Sequence, residues 1–242
     1  MSDEELRSQL VWRFTTARRP LGRWRLNAYV LRKQLAWRMV VAGALLLKRT
    51  LDLLVSFIAL SVLAPLILVV ACLIKLEDRG PVLLAQMRVG KHGREFLMYK
   101  FRSMIVNADQ HLERLQEQNK HAEGVTFKIE NDPRITRVGK WLRKFSIDEF
   151  PQFYNVLRGD MSMVGPRPCL PREVVNYTLE QRRRLEVTPG LTCLWQIGGR
   201  AEIDFSGQVL LDVRYIESQS FWGDLLILAR TVPAVLLSRG AY

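Results

Sequence analysis

Residues 53–74 carry no charge and are almost wholly apolar, with one proline, Pro65, near the middle. As a straight helix, a run of roughly 22 residues measures about 33 Å, enough to cross the hydrocarbon core of a bilayer. A proline inside a helix removes one backbone hydrogen bond and kinks the axis. Both flanks are basic: Lys48 and Arg49 stand before the run, and Lys75, Arg79 and Arg88 after it. The excess of cations on the cytoplasmic side that normally orients a helix therefore gives no direction here. Two arrangements stay open. One is a spanning helix, since proline is tolerated in membrane helices. The other is a re-entrant helix that bends at Pro65 and returns both basic flanks to one face.

The segment before this run points to the same surface. Residues 1–38 open with Asp3, Glu4 and Glu5 and then turn basic, with Arg13, Arg18, Arg19, Arg23, Arg25, Arg32, Lys33 and Arg38 interleaved with Trp12, Phe14, Trp24, Tyr29 and Trp37. Arginine mixed with aromatics suits an anionic membrane surface. It also suits single-stranded nucleic acid, but the neighbouring apolar run favours the membrane, and no base-reading motif accompanies it. The whole chain has a net charge of +12 and a pI of about 10.1, which fits anionic lipid or a polyphosphate substrate. Cys72, Cys169 and Cys193 have neither metal nor disulfide-framework spacing, so a reducing, cytosolic face is expected. His92, His111 and His121 are scattered among charged residues and form no zinc pattern.

Beyond residue 75 the pattern is α+β and mostly helical. Val82 to Val89 and Glu95 to Phe101, separated by a turn at Gly90 to Gly93, read as a β-hairpin. A polar helix is expected from Ala108 to Gln118, an amphipathic one from Ile135 to Phe145, and a charged one from Pro171 to Glu186. Thr188 to Leu191 reads as a turn and Trp195 to Arg200 as a Gly-rich loop. Phe205 to Ser218 is amphipathic, and Phe221 to Leu237 is an apolar helix interrupted near Pro233.

Adjacent acids, Asp148 and Glu149, sit within WLRKFSIDEFPQFYNVLRGDMSMVGPRP, the stretch from Trp141 to Pro168. Arg143 and Lys144 precede them, and Arg167 follows between two prolines. Carboxylates among cations suit chemistry on an anionic substrate. The pattern Ser146-Ile147-Asp148-Glu149 also matches a capping box, in which Ser146 would cap a helix running to about Leu157 and Glu149 would reach back to it. Arg158-Gly159 would end that helix. On the residues alone, a capping role and a chemical role for the pair compete.

Residues 48–237 resemble the bacterial sugar transferases, the monotopic polyprenyl-phosphate phosphoglycosyl transferases. The matching blocks run in order: Lys48-Arg49-Thr50-Leu51-Asp52, Tyr99-Lys100-Phe101-Arg102-Ser103-Met104, Asn131-Asp132-Pro133-Arg134-Ile135-Thr136 and Ser146 to Gln152. Asn155 to Ser162, Val164 to Pro168, Pro189-Gly190-Leu191-Thr192 and Trp195-Gln196 follow. Two positions depart from the family pattern: Ala64 stands where a serine usually precedes the proline, and Cys193 where glycine is usual.

The residues themselves mark 1–47 as a basic, aromatic membrane-surface extension, on which the resemblance is silent; the resemblance implies 48–75 as a re-entrant helix bent near Pro65 and 76–242 as a cytosolic catalytic domain with interfacial helices. Trp195, Phe221 and Trp222 are expected to help seat that domain at the inner membrane of a bacterium. It implies transfer of a sugar-1-phosphate from a nucleotide diphosphate sugar, uridine by family habit, to polyprenyl phosphate, as the initiating step of surface polysaccharide or glycoconjugate assembly. Asp148 would be the nucleophile and Glu149 a ligand of Mg²⁺, with Asp148 as a second ligand. Lys100, Arg143 and Arg167 are the expected phosphate binders. Arg102, Arg134, Gln196 and Arg200 are weaker substrate or lipid candidates. Expected partners are the nucleotide sugar, polyprenyl phosphate and anionic lipids, with no nucleic acid, and homo-oligomerisation stays open. The rival reading is a non-catalytic membrane scaffold of a polysaccharide assembly complex.

Overall fold

The structure is a computed structural model that describes residues 4–5, 7–8, 11–12, 20–108, 132–199 and 203–236. Arg200, His111, His121, and all of the expected 108–118 helix except Ala108, lie outside the described residues. The chain divides into two compact units, Met1–Lys48 and Arg49–Tyr242.

Helix α1 is 59 residues long, Pro20–Asp78, and its helical pattern continues through Pro65. Within the first unit, its side chains Leu21, Trp24, Trp37, Met39 and Leu46 are all exposed. Part of α1 is apolar and long enough to cross a membrane by length and composition, and only 11% of that window is buried. Within the second unit, α1 has two characters. Val70 and Ile74 are buried against Phe101, Leu142 and Ile147, whereas Leu54, Phe57, Ile58, Val62 and Leu68 are exposed. An uncovered apolar strip on an otherwise packed helix is what a lipid-facing surface looks like.

The hairpin forms where alternation and turn residues place it. β1 (Leu83–Val89) pairs antiparallel with β2 (Glu95–Phe101), in a register running from Leu83 opposite Phe101 to Val89 opposite Glu95. Gly93 turns the chain with φ 81°, open to glycine at no steric cost. α2 (Arg137–Lys144) is capped twice: Thr136 accepts the Gly139 amide, and Glu77 Oε1, from the end of α1, accepts the Arg137 and Val138 amides at 2.8 and 3.2 Å. A 3-10 turn, Ile147–Glu149, leads to α3 (Gln152–Arg158), which ends at Gly159 with φ 90°.

β3 (Ser162–Val164) pairs in parallel with β4 (Gly190–Thr192), so the expected turn at Thr188 to Leu191 is in part a strand. The single helix expected from Pro171 to Glu186 is instead α4 (Pro171–Val174), α5 (Leu179–Arg182) and a 3-10 turn at Arg183–Leu185. It breaks because Tyr177 is buried against Phe205 and Thr178 starts a new helix with its own capping box. The expected loop after Trp195 is a short helix, α6 (Leu194–Gly198). α7 (Phe205–Ser218) and α8 (Phe221–Leu236) follow, and Pro233 lies inside α8 without interrupting it.

The main core gathers Phe96, Met98, Val156, Met161, Met163, Val164, Tyr215 and Ile227, joining the hairpin, α3, β3, α7 and α8. α1 is tied to it by polar contacts. Asp52, buried, accepts the Met163 amide at 2.9 Å and the Ser162 hydroxyl at 3.0 Å. Arg49 donates to the Val156 and Leu157 carbonyls at 2.6 and 2.8 Å, serving the C-terminal end of α3.

Candidate active site

The acid pair sits on the 3-10 turn that α2 and α3 hold between them. Ser146 takes the left-handed conformation, φ 54°, and makes no side-chain cap, so the expected capping box does not form. Glu149 is instead drawn across the site. Its Oε1 accepts Lys100 Nζ at 3.3 Å, from β2, and Arg167 Nη1 at 3.2 Å, from the Gly165-Pro166-Arg167-Pro168 loop. Two charge-assisted bonds outweigh a local cap that the chain would have to bend to make. Burial alone would raise the Glu149 carboxyl; Lys100 and Arg167 overcome it and hold it down at about 2.

Asp148 behaves oppositely. It is buried and makes no hydrogen bond or ion pair among the described residues. Its oxygens are not among the sealed, unpartnered atoms, so they keep some access. Burial, with Glu149 adding to it, pushes its carboxyl up to about 6 against the pull of Lys100, Arg143 and Arg167. The pair thus consists of one carboxylate spent on cations and one left open, more basic than usual.

Arg143 reaches the site from the last turn of α2. Its Nε donates to Ser103 Oγ at 2.9 Å, and its other two nitrogens have no partner among the described residues. Burial lowers its pKa, opposed by the charge of Asp148. Lys100 is likewise lowered by burial, with Glu149 opposing. Lys100, Arg143, Arg167, Asp148 and Glu149 therefore come together.

Of the weaker candidates, Arg200 lies outside the described residues, and the other three have partners of their own. Arg102 is buried and paired with Asp78 at the end of α1. Arg134 is buried in a fork on Asp132, with contacts of 2.6 to 3.2 Å. Gln196 Oε1 accepts the Cys193 thiol at 3.1 Å. Trp195 is buried, not presented to a membrane; of the aromatics expected there, Trp222 is the exposed one.

Three residues important to the site's geometry were not among the expected site residues, although Ser103 and Asn155 stand in the matching family blocks. Asn155 is fully buried and pins β2, Ser103 holds Arg143, and Arg88 lies beside Arg167. Strand alternation was the one available clue for Arg88, since it shares a hairpin face with Lys100.

The donor set fits a hard divalent cation. Asp148 and Glu149 are neighbouring residues whose Oδ and Oε2 oxygens have no bond among the described residues, and Mg²⁺ commonly takes one or two carboxylates and completes its shell with substrate phosphates and water. No group of three or more His, Cys, Asp or Glu residues able to hold a metal occurs among the described residues.

An apolar helix is thus joined to a small α+β domain whose open carboxylate is ringed by half-buried cations, an arrangement that suggests a membrane-associated protein. Residues 43–238 match the family described as Bacterial sugar transferase, and the chain belongs to it. It is 48% identical over 198 residues to "Galactosyl transferase CpsE" of Streptococcus agalactiae, covering 81% of this chain and 44% of that one. It is 42% identical over 198 residues to "Exopolysaccharide production protein ExoY" of Sinorhizobium fredii, covering 81% of this chain and 88% of that one. It is 41% identical over 199 residues to "Undecaprenyl-phosphate galactose phosphotransferase" of Salmonella typhimurium, covering 81% and 42%. The chain thus spans less than half the length of two of these relatives and most of the third.

Proposed function

We propose that the chain transfers a sugar-1-phosphate from a uridine diphosphate sugar to polyprenyl phosphate at the cytosolic face of a bacterial inner membrane, initiating polysaccharide or glycoconjugate assembly. The observation that carries this reading is the open, raised-pKa carboxylate of Asp148 among Lys100, Arg143 and Arg167. Relatives named for undecaprenyl-phosphate phosphotransfer and for exopolysaccharide production support the substrate class.

Both substrates are anions, and direct attack of one on the other is opposed by their charges. A carboxylate nucleophile divides the transfer into two displacements. An Asp148 oxygen attacks the sugar-bearing phosphorus, and the phosphoanhydride bond breaks, its electron pair leaving with the nucleoside monophosphate. A phosphate oxygen of polyprenyl phosphate then attacks the phosphorus held on Asp148. The acyl phosphate bond breaks, and the Asp148 carboxylate is restored. Arg143 and Arg167 bind and orient the diphosphate oxygens, and Lys100 keeps Glu149 ionised between them. Asp148 and Glu149 would hold Mg²⁺, which neutralises phosphate charge when bound. The α1 strip facing lipid, re-entrant at Pro65, brings polyprenyl phosphate to the site from the membrane side.

The test is nucleotide release. The protein in nanodiscs is mixed with polyprenyl phosphate, Mg²⁺ and a panel of uridine diphosphate sugars. Monophosphate released with one sugar, and lost in Asp148→Asn, is the expected result. Diphosphate release would mean ordinary glycosyl transfer. Silence across the panel from well-folded protein would favour the scaffold reading.

A further inference from the structure

Arg88, like Arg143, is a mostly buried cation beside the site with no carboxylate at ion-pair distance among the described residues. The hairpin register sets Gln86 opposite Met98, Arg88 opposite Phe96 and Leu84 opposite Lys100, so Gln86, Arg88 and Lys100 share one face. Arg88 Nη2 donates to Gln86 Oε1 at 2.6 Å, which fixes the plane of the guanidinium. Nη1 donates to the Pro168 carbonyl at 3.0 Å. The next residue repeats the hold: the Val89 amide donates to the Cys169 carbonyl at 2.9 Å. The last two residues of β1 therefore grip the two residues that follow Arg167.

This placement is unfavourable for the free protein. Burial first, and then the charge of Arg167, push Arg88 down to about 10. Its Nε is buried with no hydrogen-bond partner among the described residues. The charges of Glu173 and Glu149 oppose that fall only in part, and a buried cation so weakly countered is expensive to keep. Four cations, Arg88, Lys100, Arg143 and Arg167, stand with three acids, Asp148, Glu149 and Glu173, so the site holds more positive charge than its own carboxylates neutralise.

We propose that Arg88 is a positioning residue for Arg167: it fixes the Pro168 carbonyl so that the Arg167 guanidinium stays aimed at the donor diphosphate, and it adds behind it a positive charge that the chain's own acids offset only in part. The inference rests on the reading of this site as one for a nucleotide diphosphate sugar. Lysine could supply the charge at this position but not the fork that holds Gln86 and Pro168 together.

A double-mutant cycle tests it, with inorganic pyrophosphate as the probe and binding followed by calorimetry on the full chain in nanodiscs. Every form carries Asp148→Asn, so no turnover intervenes. With Arg167 present, Arg88→Gln is expected to weaken pyrophosphate binding by about tenfold. With Arg167→Gln already made, the same change is expected to cost less than about threefold, because the residue it acts through is gone. Arg88→Lys is expected to fall between wild type and Arg88→Gln, and it carries the same cycle if Arg88→Gln does not fold. Equal losses in the two backgrounds, or an Arg88→Lys form that binds as tightly as Arg88, would overturn the positioning role while leaving the proposed function intact. Absence of pyrophosphate binding with Arg88 and Arg167 both in place would overturn the anion site itself, and the inference with it.

Discussion

Asn155 accepts the Tyr99 amide on its Oδ1 at 3.0 Å, while its Nδ2 donates to the Leu97 carbonyl at 2.7 Å. A fully buried side chain on α3 thus replaces the strand that β2 lacks on its open edge, and it does so next to Lys100. This sets how far Lys100 stands from Glu149. Asn155→Ala leaves a buried N–H and a buried C=O unpaired, a loss of about 2–4 kcal/mol. Denaturant unfolding should read that loss, and kcat should fall with it as Lys100 drifts from the acid pair. Wild-type stability in this variant would mean that β2 is held by the core alone.

Glu149→Gln should destabilise the protein at neutral pH by about 2–3 kcal/mol, because it leaves the half-buried charges of Lys100 and Arg167 without their shared partner. The pH dependence carries the sign. Glu149 is depressed from 4.5 to about 2, so its contribution is complete above 4.5 and is lost as the pH falls through 2. The stability gap between wild type and variant should close over that interval in acid titrations. A gap that stays constant down to pH 2 would show that the loss came from shape and not from charge.

Much of the frame was legible in the sequence because it rests on local patterns. Alternation and flanking turns gave the hairpin its place, with the second strand at Glu95–Phe101 as expected, and helical spacing gave Phe205–Ser218. The capping box at Ser146 failed because a distant pair, Lys100 and Arg167, claims Glu149, and no local pattern encodes that contact. β3 and β4 are three residues each and pair from far apart in the chain, too short for periodicity to register. Arg102 and Arg134 looked like substrate cations because sequence shows their charge and not Asp78 and Asp132 beside them. Asp148 and Glu149 were legible as a pair; that one is open and the other spent is a property of the fold.

Asp148→Asn should abolish transfer and yet stabilise the fold. A carboxyl raised from 3.8 to about 6 disfavours the folded state wherever it is ionised. That penalty is absent below pH 3.8, grows to about pH 6 and is constant above. The asparagine form should therefore be more stable by about 1–3 kcal/mol at pH 8, with no advantage below pH 3.8. Thermal unfolding at the two pH values measures both ends. In the wild type, activity should decline as pH drops through about 6, where the nucleophile takes up its proton. A variant less stable than wild type at pH 8 would mean that the Asp148 carboxylate holds the turn together.

Gly139→Ala tests how tightly Arg143 is set. A β-carbon on Gly139 would lie 2.0 Å from the Ser103 carbonyl oxygen, a contact with backbone that no side-chain rotation relieves. The same carbonyl accepts the Thr136 amide at 3.2 Å, and the Ser103 hydroxyl accepts Arg143 Nε at 2.9 Å. α2 must therefore move away from Ser103, breaking both bonds. The expected result is a loss of about 3 kcal/mol in unfolding experiments and a fall in kcat/KM for the donor that exceeds the fall in Ser103→Ala, where α2 keeps its place and only the Arg143 bond is lost. Equal activity in the two variants would mean that the Ser103 hydroxyl alone, and not the close approach of α2, fixes Arg143.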